Sequence, residues 1–386
     1  LIAANFYQLE KGMTRAKVID YFDETCPEIE IQLDIRYTPQ QNAQRYFKLY
    51  TKAKTAEEML TQQIADGEAE LTLDGRYAAQ GREQSPHRVL EQKTSLEDDL
   101  TENLKRLLDF VQSGQNKGQR RKLSPERFAQ LQEAIVQVGP SLSLRAARRL
   151  SLFLAEETTQ VLPFERIVGR RSLTAFPDIY LPGEREALQS GHYVHEQGRV
   201  CNISSDWGAV LREGLWPRRE RALQTLRENG QADADFLRAA VETIDAVTAF
   251  CDRWADALHQ SGQAEAGKGL RLAVRCGAQS FRDALQLFRL LHFCLWASNV
   301  YHNTVGRFDQ YMLPFLQADL ACGLLDEDAA QDLLEEFFLS FNRDSDLYQG
   351  MQQGDNGQSL MLGGCDADGA CAVNQLTAMC LKASLH

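Results

Sequence analysis

The stretch Leu285–Ala297 constrains this chain more than any other. It is apolar on almost every side and is interrupted only by Gln286, Arg289 and His292. A membrane span needs about 20 largely apolar residues, so this stretch is too short to cross a bilayer. Read from Ser280, it predicts a helix without a solvent face, one that other elements have to cover on all sides. The chain must therefore supply several amphipathic helices around it, and with 386 residues it can build a core that needs no disulfide or metal to hold it.

Those helices are legible. Ser124-Pro125 reads as a cap followed by proline at the first helical position. Leu142–Leu154 is amphipathic. Asp235–Leu258 places Phe236, Ala240, Ile244, Val247, Cys251, Trp254 and Leu258 at helical spacing. Asp326 caps a helix that buries Ala329, Leu333, Leu334, Phe337, Phe338 and Phe341. Further upstream, Ser95–Gln112 carries Leu96, Leu100, Leu104, Leu107, Leu108 and Val111 on one face. Strand signals are few. Ile29, Ile31 and Leu33 alternate with polar residues as in a half-buried strand, and Thr38-Pro39 then opens a long polar helix, Gln40–Leu71, patterned like one arm of a coiled coil. Leu360–Leu362 is a short strand ending in a tight Gly363-Gly364 turn. Gly75–Gln92 shows no sustained period and reads as a seam, and Gly114–Lys122 reads as a solvated basic connector. The fold class is mostly α with some β.

The net charge is −12, which opposes nucleic-acid binding except through a local patch. The nine cysteines are scattered and include no C-x-x-C pair, so neither a disulfide framework nor a zinc knuckle is expected, and reduced thiols in a cytoplasm are the simplest reading. His192, His195 and Glu196 form H-x-x-H plus an acid, but in a loop context rather than the helical H-E-x-x-H of zinc hydrolases, so no metal site is assigned. No phosphate-binding glycine loop and no G-x-S-x-G elbow is present. The run Ser298–Thr304, polar and placed after the apolar helix, either caps it or faces a substrate; from the residues alone the capping role fits better. The residues by themselves yield no reaction.

Ordered blocks from about Pro140 onward resemble the glycyl radical enzymes of the pyruvate formate-lyase family. They are Ile167–Arg171, Ser205–Leu215, Ser280–Gln286, Gly306-Arg307-Phe308-Asp309-Gln310-Tyr311, and Leu362-Gly363-Gly364 followed by Asp366, Asp368-Gly369 and Asn374–Thr377. The resemblance implies an α/β barrel wrapped in helices, here an incomplete one, in which a stored glycyl radical generates a cysteine thiyl that acts on a small-molecule substrate. It implies a radical S-adenosylmethionine activating enzyme as partner and a homodimer at full length. It also implies that Ser298, Asn299 and Asp206 contribute to the substrate pocket, and that Gly306, Arg307, Asp309, Gln310, Gly363 and Gly364 are structural motif residues. Where dehydratase-type members often carry histidine, Asn202 stands. Neither Cys365, Cys371 nor Cys380 has the family's cysteine-loop context, and the radical glycine has no counterpart before His386. No catalytic residue and no bound cofactor is therefore expected, and the chain, which begins with Leu1 rather than methionine, reads as a piece that is inactive as it stands.

A second resemblance covers about Leu1–Leu71. Ala3-Ala4-Asn5-Phe6-Tyr7, Lys11-Gly12-Met13, Leu33-Asp34, Thr38-Pro39 and Asn42–Lys48 through Lys52–Lys54 are similar to the end of the NFACT N-terminal domain of ribosome quality-control factors. It implies a strand entering a coiled-coil arm, in a protein that binds the large ribosomal subunit and tRNA. The expected organisation is thus residues 1–74 NFACT-like, 75–138 an unassigned helical linker and 139–386 pyruvate formate-lyase-like. A chimeric gene product joined near Gly75 accounts for both resemblances.

Overall fold

The computed structural model describes residues 9–19, 27–33, 38–44, 100–191, 199–228, 234–347 and 359–384, with the backbone alone at residues 32, 199–203 and 300–302. The chain divides into two compact units, Leu1–Glu83 and Gln84–His386.

In the first unit, β1 (Arg15–Ile19) pairs antiparallel with β2 (Glu28–Gln32), Val18 opposite Ile29. Val18, Leu9 and Leu33 are buried, with Ala16, Ile29, Ile31 and Ala43 packed against them. The alternation read in the sequence is therefore a one-faced hairpin. Thr38 opens a helix as expected: its Oγ1 accepts from Gln41 N, and Gln41 Oε1 accepts from Thr38 N, a reciprocal cap. The expected coiled-coil arm lies, beyond residue 44, outside the described residues.

The second unit is helical. Its described helices are α1 (Glu102–Gln112), α2 (Gln115–Gly118), α3 (Pro125–Val136), α4 (Leu142–Glu156), α5 (Glu184–Ser190), α6 (Trp207–Glu213), α7 (Trp216–Glu228), α8 (Ala234–Gln260), α9 (Ala264–Cys276), α10 (Phe281–Ala297), α11 (Phe308–Cys322), α12 (Glu327–Phe341) and α13 (Gln375–Ala383). Between them run β3 (Arg199–Ser204), β4 (Val300–Thr304), β5 (Gly306–Arg307) and β6 (Leu360–Met361). β3 pairs parallel with β4, and β5 pairs parallel with β6. Only Val305 separates β4 from β5. The caps read in the sequence are present: Ser124 accepts from Arg127 N with Pro125 behind it, and Asp326 accepts from Ala329 N.

α10 is the buried axis. Phe293 stacks on Phe250 of α8 at 5.3 Å, Phe288 lies 4.2 Å from Trp207 of α6, and Phe288 also meets Phe337 of α12. Its three buried polar residues, each three positions from the next, form a stripe with definite partners. Gln286 accepts from Val168 N and donates to Val168 O. Arg289 donates to Asp344. His292 Nε2 lies 3.2 Å from Asn303 O.

The segment 165–173 runs through the interior without joining a sheet, so its amide groups need other partners. Buried carboxylates provide them. Glu336 accepts from Arg166 N and Ile167 N, Asp344 from Arg171 N, and Glu157 from Ser172 N and Leu173 N. Burial pushes the Glu157 carboxyl up, against the opposing effect of the Ser172 and Leu173 donors. Gly169 has φ of 117°, and a Cβ there would stand 2.8 Å from Leu290 Cδ2. Gly169→Ala is therefore expected to destabilise the unit by about 1–3 kcal/mol. Urea unfolding followed by tryptophan fluorescence would register this as a lower midpoint at constant slope.

Gly114–Lys122 is not the solvated connector expected from its composition. Asn116 is buried and donates to Arg343 O, Arg120 pairs with Asp346 at 2.5 Å, and Arg121 N donates to Ser172 O. Arg120 and Arg121 find acids on neighbouring segments, Asp346 and Glu156, while Lys117 and Lys122 are exposed. With Leu104 and Leu107 of α1 packed against Leu339 of α12, residues 100–122 belong by contact to the second unit.

Candidate functional site

Two blocks far apart in sequence converge where β5 meets β6. β5 runs straight into α11, which brings Asp309 into the first helical turn, fully buried. Asp309 Oδ2 accepts from Gly363 N at 2.7 Å and from Thr377 Oγ1 at 2.5 Å. Arg307 donates to Gly363 O at 2.7 Å. Both backbone polar groups of Gly363 are thus held, its N–H by a carboxylate and its C=O by a guanidinium. Gln310 Nε2 donates to Ala372 O, and Asn374 Nδ2 donates to Asp309 O. Asn374 and Thr377 also form a reciprocal cap on α13. Gly363 and Gly364 have φ of 62° and 75°, the tight turn expected there. Gly306 has φ of 71°, which favours glycine, and a Cβ there would stand 2.3 Å from Ser204 Oγ, so the Ser204 hydroxyl would have to turn away. This close approach sets the carboxyl end of β3 against β5.

The strand break at Val305 is tied on both flanks. Trp207 Nε1 donates to Thr304 O at 3.1 Å and Tyr311 Oη to Val305 O at 2.7 Å. Burial pushes the Tyr311 phenol well above its ordinary range, so it stays a neutral donor. Asp309 Oδ1 is buried and has no hydrogen-bond partner.

Of the candidate substrate residues, Asp206 is exposed and caps α6, accepting from Ala209 N at 3.1 Å. Ser298 is the C-cap of α10, and its hydroxyl donates to Cys294 O at 2.9 Å. Asn299 has φ of 59°, a left-handed conformation seen at no other non-glycine among the described residues. The β3–β4 ladder runs from Arg199 opposite Val300 to Ser204 opposite Thr304. Asp206 follows its carboxyl end and Ser298–Asn299 precedes its amino end, about 13 Å of strand apart. Asn202 lies in β3. His192, His195 and Glu196 lie outside the described residues. Among the described residues no three His, Cys, Asp or Glu side chains come together as a metal site. A groove of about 510 Å³ between α4, α7 and α8 is lined by none of the candidates.

The cysteines whose side chains are described fall into two groups. Cys251, Cys294 and Cys380 are buried, and burial raises each thiol above its ordinary range. Cys276, Cys322, Cys365 and Cys371 are exposed.

Sequence reasoning missed the buried acids Glu157, Glu165, Glu336 and Asp344. One signal was present: Glu336 follows Leu333 by three positions and precedes Ser340 by four, on the apolar face of α12. A carboxylate at such a position calls for a buried donor.

His292 is fully buried and its pKa is lowered to about 3, first by burial and then by the nearby Arg289 charge. The unfolded chain binds this proton near 6.5, so below that pH the unfolded state holds more protons and folding stability falls as pH drops toward 3. The contribution reaches about 1.4 kcal/mol per pH unit. His292→Gln is expected to flatten stability between about pH 6 and pH 4, as read by urea titration across that range.

Residues 145–386 match the family model described as Pyruvate formate lyase-like, and residues 1–122 match that of the NFACT N-terminal and middle domains. The chain is similar to the Rqc2 homolog RqcH of Bacillus subtilis, 32% identical over 178 residues, covering 45% of this chain and 30% of that protein. It is similar to the (2S)-3-sulfopropanediol dehydratase of Klebsiella oxytoca, 28% identical over 218 residues, covering 51% of this chain and 26% of that enzyme. The B12-independent glycerol dehydratase of Clostridium butyricum, solved with glycerol bound, superposes with a TM-score of 0.60 at 21% identity, over 74% of this chain and 46% of that one. The chain thus spans about a quarter to a third of these curated relatives and just under half of the solved one. Among the described residues no helix is long and apolar enough to cross a membrane.

Proposed function

The chain belongs to the pyruvate formate lyase-like family through residues 145–386, and from that membership we propose that its second unit is the helical scaffold and part of the substrate pocket of a dehydratase-type glycyl radical enzyme. The observation that carries this reading is the convergence of Gly306–Tyr311 with Leu362–Thr377 around the Gly363 peptide group. The substrate class is a small hydroxylated or sulfonated molecule, by analogy with the dehydratases above and with the isethionate sulfite-lyase of Nitratidesulfovibrio vulgaris, 26% identical over 210 residues. In such enzymes a glycyl radical supplies hydrogen-atom abstraction through a cysteine thiyl. Within these 386 residues, Cys251, Cys294 and Cys380 are buried and Cys365 and Cys371 sit in an exposed turn, and none has the loop context of a thiyl cysteine. On this reading these 386 residues carry out no turnover by themselves. Asp206, at the carboxyl end of the β3–β4 ladder, would contact the small substrate, whereas Ser298 and Asn299, about 13 Å of strand away at its amino end, would not touch the same molecule.

Two measurements test this. Under anaerobic conditions, with a radical S-adenosylmethionine activating enzyme, the chain should give no organic-radical signal by electron paramagnetic resonance; a persistent signal overturns the inactive reading. Saturation-transfer NMR against glycerol, 1,2-propanediol, trans-4-hydroxy-L-proline and isethionate should show contact with one of them, weakened by Asp206→Ala. Contact with none removes the pocket.

A second reading rests on the NFACT match at residues 1–122: association with the large ribosomal subunit and tRNA through the first unit. Co-sedimentation with ribosomes supports it, and no pelleting above background ends it, leaving a chimeric product without that activity. The net charge of −12 weighs against it.

A further inference from the structure

The turn after β6 brings two exposed cysteines together. Cys365 and Cys371 form an isolated antiparallel bridge. Its two flanking hydrogen bonds are Ala372 N to Gly364 O at 2.8 Å and Asp366 N to Ala370 O at 2.9 Å. Bonds on the flanks, and none between Cys365 and Cys371 themselves, identify a non-hydrogen-bonded pair. In such a pair the Cα atoms lie about 4.5 Å apart with their side chains on the same face of the ribbon. A disulfide needs Cα atoms about 4.4–6.8 Å apart, so the bond can form without moving the backbone.

The register is enforced from both ends. At the tip, the Asp366 carboxylate accepts from Asp368 N and Ala370 N, each at 2.9 Å, and Gly369 takes a φ of 80°. At the base, Ala372 O accepts from Gln310 Nε2 and Asn374 Nδ2. Neither thiol is buried, in contrast to Cys251, Cys294 and Cys380. The exposed Cys276 and Cys322 end α9 and α11, where neither takes part in such a bridge. The absence of any three-ligand cluster among the described residues argues against a metal as the reason for this pairing.

We propose that Cys365 and Cys371 are a reversible dithiol–disulfide pair, oxidised by a low-molecular-weight disulfide. One cysteine thiolate attacks the small disulfide; its S–S bond breaks, a mixed disulfide forms and one small thiolate leaves. The second cysteine thiolate then attacks the protein sulfur of the mixed disulfide, and the second small thiolate leaves. The two cysteines lose two protons and two electrons, and the small disulfide gains them as two thiols.

The test uses the full chain with oxidised glutathione, followed by alkylation of the remaining thiols and peptide mapping. Cleavage after Arg343 and Lys382 leaves Cys365, Cys371 and Cys380 in one peptide, and a second cleavage before Asp366 and Asp368 separates the first two. The expected result is a pair of fragments joined through Cys365 and Cys371 and separated by dithiothreitol, with Cys276 and Cys322 as mixed disulfides or alkylated. In Cys371→Ser the glutathione adduct on Cys365 should persist, because the resolving thiol is gone. In urea the yield of the joined fragments should fall several-fold. Stable glutathione adducts on both cysteines, pairing with Cys276 or Cys322, or an equal yield in urea would each overturn the proposal.

Discussion

Asp309→Ala is expected to destabilise the second unit by about 2–5 kcal/mol. The carboxylate is fully buried and receives the Gly363 N–H and the Thr377 O–H. Alanine leaves both donors without a partner in a place that water does not reach, and each such loss costs about 1–3 kcal/mol. All four tryptophans lie at Trp207, Trp216, Trp254 and Trp296, so their fluorescence in a urea titration reports on this unit alone. Asp309→Asn keeps an acceptor oxygen and should cost less than half as much. Thr377→Val removes one donor together with the cap it provides to Asn374 N. The double variant Asp309→Ala/Thr377→Val should therefore be less destabilised than the sum of its single changes. A loss below about 1 kcal/mol for Asp309→Ala would mean that this acid does not hold the β5–β6 junction.

Glu336→Ala is expected to cost about 3–5 kcal/mol. Its carboxylate accepts from the amides of Arg166 and Ile167 and from Arg166 Nε, and it lies 3.8 Å from the buried Arg343 guanidinium. Arg343 keeps Glu165 at 2.8 Å, but two amides of the 165–173 segment lose their only hydrogen bonds to carboxylate, and a buried cation loses part of its counter-charge. Glu336→Gln retains one acceptor and should fall between the wild type and alanine. Arg166→Ala should be milder, because the Arg166 side chain is 29% exposed and its solvated part is compensated by water. If Glu336→Ala and Arg166→Ala cost the same, the amide bonds contribute nothing and the ion pair is the whole effect.

The contrast between these residues and the helices around them shows what periodicity can carry. α10, α12 and the caps at Ser124, Thr38 and Asp326 depend on residues three or four apart, so a reading of spacing recovers them. The exposed Phe236 on α8 marks the limit, since helical spacing identifies a face but not where cover ends. The blocks around Gly306 and Gly363 were legible by resemblance, but not the bonds by which one holds the other. The basic loop 114–122 was misjudged because its composition says nothing about the acids and carbonyls that receive it.

What the sequence by itself determined is the helices with a clear apolar face, α1, α3, α4, α8, α10 and α12, and the two families that its ordered blocks resemble, since each follows from local spacing or short ordered blocks. Tertiary structure alone decided which buried amides meet which carboxylates and which cysteines face one another. Asp309 reaches Gly363 across 54 positions and Glu336 reaches Ile167 across 169. A side chain's desolvation is compensated only by the group that folding brings beside it, and no spacing along the chain encodes that neighbour.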